Sequence, residues 1–112
     1  FFINARCDLF LKSKAEAHDE AMLDQVLERA AAYAAAGADG FFAPGLVDEG
    51  LIGKLCEKAT LPVNVLIFPS SPPAPRLAEL GVARISHGPG PWRRAMVALE
   101  EAARAAHAAP AG

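Results

Sequence analysis

The sequence predicts an α/β fold in which parallel strands alternate with helices. Short apolar runs suited to buried strands recur along the chain, beginning with Phe1-Phe2-Ile3-Asn4-Ala5. Between them lie longer stretches whose apolar residues return at helical spacing, and no two strand-like runs are joined by a tight turn. That alternation demands right-handed crossovers and therefore a parallel sheet.

The first strand ends in Arg6-Cys7-Asp8, an arginine and an aspartate at the edge of the sheet. Leu9 to His18 reads as a polar connection. Asp19-Glu20 then places negative charge at a helix start, where it complements the helix dipole. Leu23, Val26, Leu27, Ala30 and Ala34 form one face of a helix of roughly 16 to 18 residues that Gly37 ends. Phe41-Phe42-Ala43 is a second buried strand, closed by Pro44-Gly45, a pair suited to a type II turn. Asp48 caps a helix running to about Ala59, with Leu51, Ile52 and Leu55 on its apolar face. Val63 to Phe68 is a third strand, interrupted only by Asn64.

Pro69 to Pro75 holds four prolines and two serines, which predicts a stiff, extended loop and no helix. Arg76 to Leu80 is a short helix ended by Gly81, and Val82 to Ser86 is the fourth strand. A last helix begins at about Pro91 and ends at Ala108, with Trp92, Met96, Leu99 and Ala103 along one face. Tyr33 and Trp92 are expected in the core, and the tail from 109 to 112 is expected to fray. Four strand–helix units make either a small open sheet or half of an eight-stranded barrel, and length alone does not choose.

At 112 residues the chain is one domain, and its 53% hydrophobic content describes a protein with a real core. A net charge of −2 argues against a nucleic-acid surface. Lys12 and Lys14 are followed by Glu16, Asp19 and Glu20, as in a solvated loop. No run is long and apolar enough for a bilayer and no signal peptide is visible, so the expected compartment is the cytoplasm, without membrane association. Cys7 and Cys56 lack metal-type spacing and read as reduced thiols.

Chemistry in parallel α/β folds gathers at the C-terminal ends of the strands. Arg6 there offers a rigid fork of donors for a carboxylate or phosphoryl group, or else pairs with Asp8 as a structural ion pair. Asn64, inside an apolar strand, is either a satisfier of neighbouring polar groups or a substrate-orienting group. Ser86-His87-Gly88-Pro89-Gly90 is either an anion-presenting turn into a helix or a plain connection, and His87 either an acid–base group or solvated. Asp8 without a second carboxylate is at most an indirect partner of Mg²⁺, so no metal ligand is assigned.

Five blocks in order carry a resemblance: Asn4-Ala5-Arg6-Cys7-Asp8, Glu28-Arg29-Ala30 to Tyr33, Ala36-Gly37-Ala38-Asp39-Gly40-Phe41-Phe42-Ala43-Pro44-Gly45, Leu61 to Leu66, and Leu77 to Gly88. Together they resemble the isocitrate lyase and phosphoenolpyruvate mutase superfamily over nearly the whole chain. The resemblance implies the second half, strands five to eight, of a (β/α)₈ barrel of typically about 250 residues, so that residues 1–112 are a single partial domain. It implies a Mg²⁺-dependent lyase or mutase that makes or breaks C–C or P–C bonds in small α-keto or α-hydroxy acids. It makes Arg6 the residue that holds the substrate's carboxylate or phosphoryl group, and Asn64, Ser86 and Gly88, from their places at the strand ends, are taken as further substrate contacts.

Two departures stand out. Cys7 occupies a position where threonine is usual. Pro44-Gly45 ends a strand near which better-known mutases and lyases carry a histidine or glutamate. The main Mg²⁺ ligands and the mobile catalytic loop belong to the first half of the family fold, so the chain is expected to be incomplete and inactive alone, and to associate as a homo-oligomer or with a missing half-barrel. The alternative is a non-catalytic half-barrel that binds or assembles and keeps only a carboxylate- or phosphate-binding pocket.

Overall fold

The strands of the computed structural model pair in the order β1-β2-β3-β4, all parallel. Residues 1–108 and 110 are described, and the expectation about the tail falls largely outside them. Strand β1 (Asn4–Arg6) leads to helix α1 (Glu20–Ala35), β2 (Gly40–Phe42), α2 (Glu49–Lys58), β3 (Val63–Leu66), α3 (Ala74–Glu79), β4 (Arg84–Ser86) and α4 (Gly90–Ala108). Each strand is followed by a helix, as the alternation requires.

Helices α1 and α2 start where their caps place them. The Asp19 carboxylate accepts from the Met22 amide and that of Asp48 from the Leu51 amide, satisfying N–H groups that have no partner within the helix. Leu23, Val26 and Ala30 of α1 and Leu51, Ile52 and Leu55 of α2 are buried against Phe41, Val63 and Val65 of the sheet. The Tyr33 ring lies 6.0 Å from that of Phe41, which fixes α1 over β2. Tyr33 is half-buried at the border of this core.

Several expectations are corrected. Phe1, Phe2 and Ile3 are exposed instead of forming a buried strand, because they precede β1, an edge strand of the described sheet. The connection from Leu9 to His18 is not merely polar. Phe10 is fully buried, a 3₁₀ turn spans Ala15–Ala17, and the His18 ring stands edge-on to Phe10 while its Nε2 lies 2.8 Å from the Phe10 carbonyl.

Pro75 lies inside α3, since proline is tolerated in a first turn whose amides have no helical acceptor. Pro91 likewise follows Gly90, the first residue of α4. Strands β3 and β4 are shorter than the apolar runs around them, with Phe68 and Val82 outside the ladder and Ile67 and Ala83 donating backbone bonds to Ser86 and Val63 at its two ends.

The largest correction concerns α4. None of its residues is buried, and Trp92 is 65% exposed where a core position was expected. Met96, Val97 and Leu99 are exposed with it. The helix follows the edge strand β4 and projects from the body. The molecule therefore measures 68 × 35 × 26 Å, with a radius of gyration of 18.3 Å against the roughly 13 Å of a compact chain of this length. Among the described residues no helix is long and apolar enough to cross a membrane.

Candidate functional site

Residues paired across a parallel ladder project to the same side of the sheet. Asn4 pairs with Gly40, Arg6 with Phe42, Phe42 with Asn64, and Leu66 with Ser86, so these residues share the face opposite Phe41, Val63 and Val65. The helices cover one face with hydrocarbon. The other carries the polar groups.

Arg6 ends β1 on this polar face with about half of its side chain exposed. Its Nε donates to Asp8 Oδ1 at 2.5 Å and its Nη2 to Asp8 Oδ2 at 3.3 Å, while the guanidinium carbon sits 5.9 Å from the centre of the Phe42 ring. The hydrogen bond to Asp8 raises the arginine's pKa further, keeping it cationic. The same bond, aided by the charges of Arg6 and Lys12, holds the Asp8 carboxyl below the usual carboxylate range. The ion pair foreseen as one reading of Arg6 is therefore present, but it uses two of five guanidinium N–H groups. Three donors stay available on a fork that Asp8 and the Phe42 ring orient. Cys7, the next residue, is buried and donates its backbone N–H to the Phe42 carbonyl.

Asn64 is 3% exposed and engages the strands on both sides. Its Nδ2 donates to the carbonyls of Arg84 at 3.0 Å and Val65 at 3.1 Å, its Oδ1 accepts from Asn4 Nδ2 at 3.0 Å, and Ser86 Oγ lies 3.2 Å from both Oδ1 and Nδ2. Among the described residues no buried side-chain nitrogen or oxygen lacks a partner. Ser86 is half-buried and links to the sheet through this asparagine.

Gly88 takes φ +54° just beyond β4, and a Cβ there would lie 2.8 Å from Leu66 Cδ1. The turn it forms leads into α4, where His87, Arg93 and Arg94 line an open hollow floored by Ile67, Phe68 and Pro69. Sequence reading did not single out this pair of arginines. A second hollow, of about 450 Å³, brings Arg6 together with Lys12, Arg29 and Tyr33. Both gather cationic side chains, with Asp8 also lining the second.

The Mg²⁺ expected from the resemblance needs carboxylates that these residues do not assemble. Asp8 is committed to Arg6, and among the described residues no group of three His, Cys, Asp or Glu side chains could hold a metal ion. The described residues do not fit a Mg²⁺ site.

Parallel strand–helix units with cationic groups at the strand ends define part of a (β/α)₈ barrel of the lyase and mutase type. More particularly, the chain belongs to the phosphoenolpyruvate phosphomutase family, whose model matches residues 1–107. It is 38% identical over 105 residues to an uncharacterized Mycobacterium tuberculosis H37Rv protein, Rv1998c, covering 93% of this chain and 38% of that one. It is 34% identical over 84 residues to an oxaloacetate decarboxylase of Pseudomonas fluorescens SBW25, covering 73% of this chain and 29% of that enzyme.

Two Burkholderia cenocepacia J2315 crystal structures share the fold. One, provisionally described as a phosphonomutase, is 52% identical with a TM-score of 0.92, over 95% of this chain and 42% of that one. The other, provisionally described as a lyase or mutase, is 35% identical with a TM-score of 0.78, over 93% and 36%. The chain thus spans well under half the length of each of these relatives.

Proposed function

We propose that this chain supplies the anion-gripping portion of a lyase or phosphonomutase site that makes or breaks a C–C or P–C bond in a small α-keto or α-hydroxy acid. The observation that carries this reading is Arg6, at the C-terminal end of a strand, on the open face, with three free donors held in a fixed fork. A guanidinium so placed binds a substrate carboxylate or phosphoryl group by paired, charge-assisted hydrogen bonds. Its fixed positive charge also stabilises the negative charge that grows on an enolate as the bond breaks or forms. Ser86 and the backbone at Gly88 lie at the ends of neighbouring strands and complete the substrate contacts. Any Mg²⁺ in the reaction would be held by carboxylates other than those described here, and the chain on its own has no turnover. Its compartment under this reading is the cytoplasm.

Oxalate, a planar dianion shaped like an α-keto acid enolate, tests the site without requiring turnover. The chain is expected to bind it with Arg6 resonances shifting on titration, and Arg6→Ala is expected to weaken binding by about a hundredfold, as for a lost charge-assisted pair. Unchanged affinity in the variant would sink the reading.

The exposed apolar residues of α4 favour a second role, assembly with another copy of the chain. Burying Trp92, Met96 and Leu99 removes from water a stripe that nothing among the described residues of one molecule covers. Sedimentation equilibrium is expected to give a dimer or larger species. A monomer at tens of micromolar would exclude this role.

A further inference from the structure

Asn64 is surrounded by hydrogen-bond partners. The backbone carbonyls of Val65 and Arg84 both lie against its Nδ2, and this fixes which way the carboxamide points. Its oxygen then faces Asn4 and accepts from it, while Ser86 Oγ lies within reach of both ends of the carboxamide. Turning the amide over would set that oxygen against two carbonyl oxygens. Asn4 is therefore obliged to donate, whereas the Ser86 hydroxyl, 3.2 Å from both the oxygen and the nitrogen of Asn64, can donate or accept and keeps its proton available.

The bond from Asn4 to Asn64 crosses β2, which lies between their strands. Such a crossing needs a residue without a side chain opposite Asn4, and that residue is Gly40. A Cβ at Gly40 would stand 3.0 Å from Asn4 Oδ1 and 2.8 Å from the Phe2 ring. The gap lets one polar chain run from β1 through β3 to β4. Arg6 lies two residues beyond Asn4 on the same face of β1, and Ser86 ends β4.

Resting on the proposed roles of Arg6 and Ser86, we infer that Asn4 is a positioning residue that sets the spacing between them through Asn64, by way of the gap at Gly40. Edge strand β1 pairs with β2 over three residues only, and the side-chain link adds a second anchor that reaches past its neighbour. Asn4 acts through other groups and need not touch the ligand.

Asn4→Asp keeps the shape of the side chain and replaces the obligatory donor by an acceptor. In the uniformly ¹⁵N-labelled chain this substitution is expected to shift the Asn64 side-chain amide and the Ser86 backbone amide, two strands beyond β2, while Val63 and Val65 on the helix-covered face stay in place. Oxalate affinity is expected to fall about tenfold, the scale of one hydrogen bond. Gly40→Ala, which closes the gap from the other side, is expected to give the same pattern.

A lower melting temperature with Ser86 unmoved and oxalate affinity retained would show a merely structural asparagine and overturn the inference. Failure of the unsubstituted chain to bind oxalate would instead overturn the functional reading. The Ser86 response to either substitution would then decide the positioning role by itself.

Discussion

The two faces of the sheet are made by alternate residues of the same four strands, yet they obey different rules. Phe41, Val63 and Val65 meet the helices and are at most 2% exposed. One residue away along the same strands, Arg6, Phe42, Asn64 and Ser86 form a face organised by hydrogen bonds and an ion pair. Hydrocarbon burial is non-directional and holds the layers together, whereas the polar face holds particular atoms at particular distances. Stability and positioning are thus assigned to opposite sides of one sheet.

Substitutions on each side should separate these contributions. Phe41→Ala empties the centre of the covered face and is expected to lower stability by about 3–5 kcal/mol, read as the denaturation midpoint multiplied by an unchanged slope. Asn64→Ala leaves the groups it satisfied without partners and is expected to cost about 1–3 kcal/mol. A loss as large as that at Phe41 would break the division between the faces.

The smallest effect is a titration. The Asp8 carboxyl, held low by its hydrogen bond from Arg6, is expected to titrate below the roughly 3.9 of a free aspartate in a ¹³C experiment and to return toward it in Arg6→Ala. Because the folded value is the lower one, the pair's contribution is complete above the unfolded pKa and disappears as pH falls through the lowered value. The pair is exposed, so protonating Asp8 should loosen Arg6 while costing the sheet little stability.

The covered face was legible in the sequence because its signals are local. Asp19 and Asp48 mark helix starts, and Leu23, Val26, Leu51 and Leu55 repeat at the spacing that buries them. Arg6 was legible as a strand-end cation, but its bond to Asp8 was one of two open readings until side chains were placed. Asn4 passed as one letter of a family block, since its partner lies 60 residues away and the bond depends on what is missing at Gly40. Trp92 misled because a stripe at helical spacing states that a face will be covered and not by what. Pro75 misled because proline stops a helix from within and opens one from its first turn.

The placement of Trp92 also determines what an optical measurement on this protein reports. It is the only tryptophan, and it stands on α4, away from the packed layers. In a single molecule its emission comes from a ring largely in water, so melting the core of a monomer would leave the spectrum nearly unchanged. A blue shift would announce instead that α4 has found a surface. The chain carries a fluorophore that is blind to the unfolding of a monomer and sensitive to company.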